Sequence, residues 1–274
     1  MRELSLFTGA GGGLLGTLLL GWEPIGYVEF NEHCQRVIAQ RIADGILPAA
    51  PIFGDVREFV QSGAAREYRG FADVVTGGFP CQPFSVAGKQ LGADDPRNMW
   101  PATIECVRLV RPRYCFFENV PGLLNSGYFG TIVNDLAQSG YAVRWRCLSA
   151  AEVGAPHKRD RLWIVAYSHC EHGIRGSESQ QPICQSREAW DKSSGVGADV
   201  AHATGEGLEG EFGQEFEGTR KGLADCRWWA TEPDVGRVAH GVAARVDRLK
   251  ALGNGQVPLV AATAWHLLTE DLYA

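Results

Sequence analysis

Cys81 stands in Gly77-Gly78-Phe79-Pro80-Cys81-Gln82-Pro83-Phe84-Ser85. A thiol flanked by prolines in a glycine-led loop is held stiffly, and at an exposed sheet edge it can ionise to a nucleophilic thiolate. Glu118, in Phe116-Phe117-Glu118-Asn119-Val120-Pro121, ends an apolar run. Burial would push such a carboxyl toward its protonated form and let it act as an acid. Pro156-His157-Lys158-Arg159-Asp160-Arg161 carries two alternating arginines, which an extended chain puts on one face. Paired guanidinium groups suit an anionic or carbonyl-rich ligand. Phe7-Thr8-Gly9-Ala10-Gly11-Gly12-Gly13-Leu14-Leu15-Gly16 places glycines 11, 13 and 16 in the G-x-G-x-x-G register of a nucleoside-binding turn, and Glu29 follows 18 positions after Gly11. An acidic residue at that distance, ending the next strand, is where a ribose hydroxyl pair is held. Asp55 reads either as a contact for an adenine amino group or as a helix N-cap. Leu252-Gly253-Asn254-Gly255-Gln256-Val257-Pro258 reads as a tight turn whose Asn254 caps or touches a ligand. Each motif also has a plain alternative: a small buried thiol, a strand-end cap, a solvated basic edge, a simple turn.

These groups need a scaffold that brings them to one edge. Short apolar, β-branched or aromatic runs predict strands at 3–7, 25–30, 52–55, 73–76, 114–118, 143–147 and 162–166. Helical patterns lie between them at 14–20, 32–42, 100–110 and 131–138, and again at 257–268 after the turn. The alternation predicts an α/β fold, a doubly wound sheet with helices on both faces, whose ligands bind at the carboxyl ends of the strands. The glycine turn, Glu29, Asp55, Cys81 and Glu118 stand at such ends, whereas the paired arginines precede the seventh strand and the Gly-Asn turn precedes the last helix.

The chain has 274 residues, of which 45% are hydrophobic and 21% charged, enough apolar content for a packed core and against global disorder. No apolar run approaches membrane-spanning length, and the acidic start argues against a secretory leader. Eight scattered cysteines without a C-x-x-C pair predict a reduced, cytoplasmic protein. The net charge is −6. Residues 1–167 hold 16 basic and 16 acidic side chains, 168–237 hold 7 and 13, and 238–274 hold 3 and 3. The negative surplus therefore sits in one segment, which is also rich in Gly, Ser and Glu. This predicts a catalytic domain of 1–167 plus 238–274 and a small, loop-rich domain at 168–237. His169, Cys170, His172, Cys184 and Cys226 are spaced too irregularly for a zinc site, and no metal is expected.

In this order the motifs resemble the cytosine-5 DNA methyltransferase family: Gly-Phe-Pro-Cys-Gln-x-Phe-Ser at 78–85, Glu-Asn-Val at 118–120, Pro-x-x-Arg-x-Arg at 156–161 and Gly-Asn at 253–254. The resemblance implies a Rossmann-like mixed sheet of methyltransferase type with a target-recognition domain at 168–237. It implies S-adenosylmethionine as cofactor and double-stranded DNA as partner. Cys81 would add to carbon-6 of a cytosine flipped out of the duplex, since the reacting carbon is inaccessible in the stack. Glu118 would hold ring nitrogen 3 and the exocyclic amine, Asn119 would position its loop, and Arg161 with Arg159 would contact the base carbonyl and Glu118. Phe7, Gly9, Gly11 and Gly12 would form the cofactor loop, with Glu29 on the ribose, Phe30 stacked on adenine, Asp55 and Val56 at its edge, Asn254 near the methionine end and Trp100 lining the pocket. Three positions depart from the family pattern and bear on cofactor affinity: Ser5 in place of Asp, Phe30 in place of a frequent Trp, and His157 in place of Gln. The resemblance further implies a monomer, and a cognate restriction endonuclease acting on the same site as a potential partner. Alternatives are the same chemistry on transfer RNA, a catalytically silent DNA-binding homologue, and a nicotinamide dehydrogenase, which leaves Pro80-Cys81-Gln82 without a purpose.

Overall fold

A computed structural model of the protein describes residues 1–80, 98–168 and 245–272. Seven strands form one sheet: β1 (Arg2–Leu6), β2 (Glu23–Val28), β3 (Ile52–Phe53), β4 (Val74–Gly77), β5 (Tyr114–Asn119), β6 (Tyr141–Leu148) and β7 (Arg161–Ser168), in the order β3-β2-β1-β4-β5-β7-β6. The first five are mutually parallel, whereas β7 runs antiparallel to both β5 and β6. The sheet is therefore mixed and doubly wound, as expected. The strand order reverses between β1 and β4, so the loops leaving these two strands diverge and open a crevice at their carboxyl ends.

Helices α1 (Gly12–Leu19), α2 (Glu32–Ala43), α3 (Val56–Gln61), α4 (Ala64–Glu67), α5 (Trp100–Val110), α6 (Tyr128–Gln138), α7 (Arg245–Asn254) and α8 (Pro258–Thr269), with short 3-10 helices at Pro121–Asn125, Ala151–Val153 and Glu270–Leu272, complete the described structure. Alternation along each strand decides which helices cover which face. Leu4, Leu6, Val75, Cys115, Phe117, Leu162 and Ile164 point to one side and pack with residues of α3, α5 and α6. Val74, Tyr114, Phe116, Trp163 and Val165 point to the other, where Trp265 of α8 meets Trp22 and Phe116 edge to face. α5 shows why the pattern was legible: Trp100, Thr103, Ile104, Val107 and Val110 fall on one buried stripe, and Arg111 ends the helix in a left-handed conformation just before Pro112.

α1 and α8 approach closely. A Cβ on Gly16 would come within 2.6 Å of the Pro258 carbonyl oxygen and 2.8 Å of the Ala261 methyl. Gly16→Val is therefore expected to overpack this contact and to cost about 1–3 kcal/mol of stability, measured by urea denaturation; an unchanged midpoint would contradict the close approach.

Three helices lie outside the expected helical patterns, although the N-cap reading of Asp55 already allowed for α3. α3 and α4 are only six and four residues long. α7 runs up to the segment read as a tight turn and ends at Asn254; the turn itself is there, with the Gly255 N–H donating to the Leu252 carbonyl at 3.3 Å before α8 begins. Val246, Leu249 and Leu252 are its large apolar side chains and all are exposed, so no buried stripe marked it. The proposed small domain lies, from residue 169, outside the described residues, as do Cys81 and the histidines and cysteines considered for zinc. Among the described residues there is no helix long and apolar enough to cross a membrane and no cluster of metal-ligating side chains.

Candidate active site

The loop after β1 is shaped by backbone handedness. Phe7, Gly9 and Gly11 all have positive φ (51°, 58° and 81°), a region that glycine enters without steric cost and phenylalanine does not. The strain at Phe7 is held by Thr8, whose hydroxyl donates to the Ser5 carbonyl at 3.1 Å and whose backbone N–H donates to Val28 at 3.2 Å. Glu29, at the end of β2, braces the same loop. One carboxylate oxygen accepts the Gly9 N–H at 2.6 Å and the other the Asn31 N–H at 2.7 Å. A carboxylate has about four acceptor positions, so among the described residues two remain open on Glu29. Phe30, next along, is 75% exposed, a flat apolar ring beside that acid.

Glycines 12 and 13 have a different purpose from the one their spacing suggested. A Cβ on Gly12 would lie 2.7 Å from the Gln256 carbonyl oxygen, and one on Gly13 would collide with the Gln256 side-chain oxygen. They make room for the segment entering α8, and both also line the crevice beside it. Above Gly9, by contrast, a Cβ would meet no atom within 4 Å.

Asp55 is the N-cap of α3: its carboxylate accepts the Arg57 N–H at 2.8 Å and pairs with the Arg57 guanidinium at 2.5 Å. The guanidinium holds the Asp55 carboxyl below the usual range. Val56 turns its side chain into the core and leaves only its backbone for any ligand. Trp100 corrects an expectation. It does not line the crevice but is 1% exposed beneath Phe79 and Phe117, and its indole N–H donates to Asp135 at 2.8 Å. Its place on the buried stripe of α5 carried that signal in the sequence.

β4 and β5 supply the chemistry. The described chain stops at Pro80, one residue before Cys81. The approach to it is anchored: buried Asn119 donates to the Phe79 carbonyl at 3.1 Å, and the Phe79 ring packs on Trp100. Glu118 lies two residues beyond Phe116, on the face shared with α1 and α8. Its carboxylate accepts from the Arg161 Nε at 2.8 Å, with side-chain exposures of 12% and 21% for Glu118 and Arg161. Burial pushes the Glu118 carboxyl up, and Arg161, Arg159 and the Gln256 amide pull it back. Burial and opposing charges acting on one carboxyl are what a group tuned for chemistry carries.

The two arginines do not share an extended face. Arg161 opens β7, whereas Arg159 has φ 37° and reaches away to donate to the carbonyls of Gly253 and Gly255. Arg159 thus ties the end of α7 to this edge and acts on Glu118 through its charge. Burial and the nearby Arg161 lower its own proton affinity.

Glycine at 78 is needed for the last neighbour: a Cβ there would lie 2.9 Å from a Glu118 carboxylate oxygen and 3.2 Å from the Gln256 side-chain nitrogen. The crevice that results runs between Phe7, Gly9, Gly77-Gly78 and Asn254-Gly255-Gln256, over a buried floor of Glu3, Thr17 and Trp163. Sequence reasoning brought Asn254 here but passed over Gln256 and Glu3.

The family model of C-5 cytosine-specific DNA methylases matches residues 1–200. Among curated relatives, the type II methyltransferase M.AplI of Arthrospira platensis is 36% identical over 166 residues, 60% of this chain and 45% of that protein. M.NgoMIV of Neisseria gonorrhoeae is 36% identical over 168 residues, 60% of this chain and 51% of that protein. The chain thus spans about half the length of these relatives. Among solved structures, the Dnmt2 methyltransferase of S. pombe superimposes with a TM-score of 0.58 at 17% identity, covering 100% of both chains. A Spodoptera frugiperda DNMT2 mutant does so at 0.51 and 22%, covering 66% of this chain and 55% of that one. These two likenesses bear on the fold, which is of the methyltransferase type. By the match over residues 1–200, the chain belongs to the C-5 cytosine-specific DNA methylase family.

Proposed function

We propose that this protein is a DNA (cytosine-5)-methyltransferase that modifies a flipped cytosine in double-stranded DNA. One observation carries the reading: a largely buried carboxylate, Glu118, clamped by Arg161 at 2.8 Å, sits at the carboxyl end of β5, one strand from the switch point, across from a left-handed glycine loop. That geometry holds a polar ring edge in place and leaves the adjoining crevice for a cofactor.

The residues fit S-adenosylmethionine. Open space above Gly9, two free acceptor positions on Glu29 and the exposed Phe30 ring suit a loop-bound tail, a ribose and a stacked adenine respectively. Phe7, Gly11 and Gly12 shape the loop, Asp55 and the Val56 backbone lie at the adenine edge, and Asn254 is opposite. Bound there, S-adenosylmethionine supplies an electrophilic methyl group.

The chain's own residues make cytosine reactive. The Cys81 thiolate bonds to carbon-6, and the ring electrons so displaced make carbon-5 nucleophilic. Glu118, as the protonated acid, donates to ring nitrogen 3 and accepts from the exocyclic amine while charge builds on the ring, and Arg161 keeps that carboxyl in place. Asn119 fixes the strand of loop leading to Cys81, and Arg159 fixes the turn bearing Asn254. After transfer a base takes the carbon-5 proton, the carbon-6–sulfur bond breaks, and Cys81 leaves as thiolate.

Residues 168–237 are proposed to read the target, supported by their distinct composition and by the place such a module takes in the family. The relatives' designation as type II methyltransferases supports a cognate endonuclease acting on the same site; a monomeric, cytoplasmic enzyme is what the family resemblance implies.

The test is transfer of labelled methyl from S-adenosylmethionine to duplex DNA, with transfer RNA as the competing substrate. Cys81→Ala is expected to lose at least about a thousandfold in rate. Full activity in that variant would refute the assigned nucleophile. Transfer to RNA alone would move the substrate, and DNA binding without transfer would mark a silent homologue.

A further inference from the structure

Gln256 sits where three parts of the site meet. Its backbone packs on Gly12, its side-chain oxygen on Gly13 at the start of α1, and its side-chain nitrogen over Gly78 beside the Glu118 carboxylate. Only the nitrogen of a glutamine side chain can donate, so the amide is oriented with its donor toward the acid and its acceptor toward the glycine loop. The three glycines at 12, 13 and 78 have no Cβ that would push it aside.

We propose that Gln256 is a positioning residue that ties Glu118 to the cofactor loop, so that the acid and the glycine turn are held in one register by a single side chain. The inference rests on the reading of Glu118 as the group that engages the base. It gives Gln256 no contact with the reacting atoms.

The physical consequence concerns the proton on Glu118. Among the described residues, the charged groups facing it are Arg161, which opens β7, and Arg159, in the loop before it. Gln256 is the neutral donor that adds to them, and a hydrogen bond donated to a carboxylate favours its ionised form. Removing the donor leaves the burial in place and the acid holds its proton to higher pH. Gln256→Leu keeps much of the volume and removes both polar atoms. Gln256→Glu keeps an oxygen toward Gly13, loses the donor and sets a second carboxylate against the first.

The direct measurement is the pH titration of the Glu118 carboxyl by carbon-13 NMR in glutamate-labelled protein, with the resonance identified by its loss in Glu118→Gln. Its midpoint is expected to move upward in Gln256→Leu and further upward in Gln256→Glu. In parallel, methyl transfer should fall roughly tenfold in Gln256→Leu, as expected for loss of one hydrogen bond to a charged group, and its pH profile should follow the titration. Coincident titration curves for parent and both variants would overturn the proposal, whatever the activity. If the parent transfers no methyl group yet the midpoints move, the proposed function fails and the role of Gln256 stands.

Discussion

Arg161→Ala is expected to cost about 3–5 kcal/mol of folding stability near pH 8, and about a hundredfold in methyl transfer. The reason is the burial of its partner. Glu118 is 12% exposed at the side chain and Arg161 21%, so neither is well screened by water and an unpaired Glu118 would be a nearly dry charge. The loss has a pH signature. Burial already raises the Glu118 carboxyl above its ordinary value, with Arg161 foremost among the groups that oppose the rise. An acid that binds its proton more tightly when folded stabilises the fold most below its unfolded value, and that stability drains as pH rises through the folded value. Without Arg161 the folded value climbs further and the drain continues to higher pH. The gap between Arg161→Ala and the parent should therefore be small near pH 5 and wide near pH 8 in urea titrations. Adding Glu118→Gln should recover most of the lost stability, because the amide needs no counter-charge. No recovery in the double variant would mean that Arg161 supports the fold by packing instead.

Glu3→Gln is expected to raise stability near pH 8 by about 3 kcal/mol and to leave it nearly unchanged near pH 4.5. Glu3 is 1% exposed in β1, and among the described residues the positive group that acts on it is the N-terminal ammonium, not a basic side chain. The Thr76 hydroxyl donates to one oxygen at 2.6 Å, and the Thr17 hydroxyl lies 2.5 Å from the other. Thr17 also reaches the Leu14 carbonyl at 3.1 Å, but a hydroxyl has one proton to give. A protonated Glu3 that donates to Thr17 frees Thr17 to donate to Leu14, and every group is then satisfied. Consistently, burial pushes the Glu3 carboxyl from 4.5 to about 7 and helps push the Tyr27 phenol to about 12. Between the unfolded and folded values each pH unit costs the fold about 1.4 kcal/mol, so the parent should weaken from about pH 4.5 to 7 and level off above. A glutamine reproduces the protonated acid, donor and acceptor alike, and should flatten most of that slope. Glu118, raised by its own burial, adds a slope of the same sign. Parallel stability curves for parent and variant would show that Glu3 does not titrate in this window.

What the sequence made legible follows from where each signal is stored. The strands are runs of local composition, and all seven appear within a few residues of their expected bounds. α5 and α8 announce themselves by apolar spacing and a proline at the start. α7 has neither a buried stripe nor a cap that distinguishes it from a turn. Among site residues, Glu118, Asn119 and Arg161 stand at strand ends where local pattern points, and their pairing follows from the sheet. Arg159 was placed by assuming an extended chain, and its left-handed backbone is set by carbonyls at positions 253 and 255 that no local window contains. Gln256 and Glu3 were missed for the same reason: each acquires meaning from glycines or threonines far away in sequence.

Arg159 and the carbonyl it holds at Gly255 are 96 positions apart, and Gln256 meets a loop that begins at the very first strand. A ribosome making this polypeptide therefore releases every strand of the sheet well before the segment that completes the crevice. The nascent molecule passes through a stage with a finished platform and an open, one-sided cradle, and only the arrival of α8 against α1 closes it.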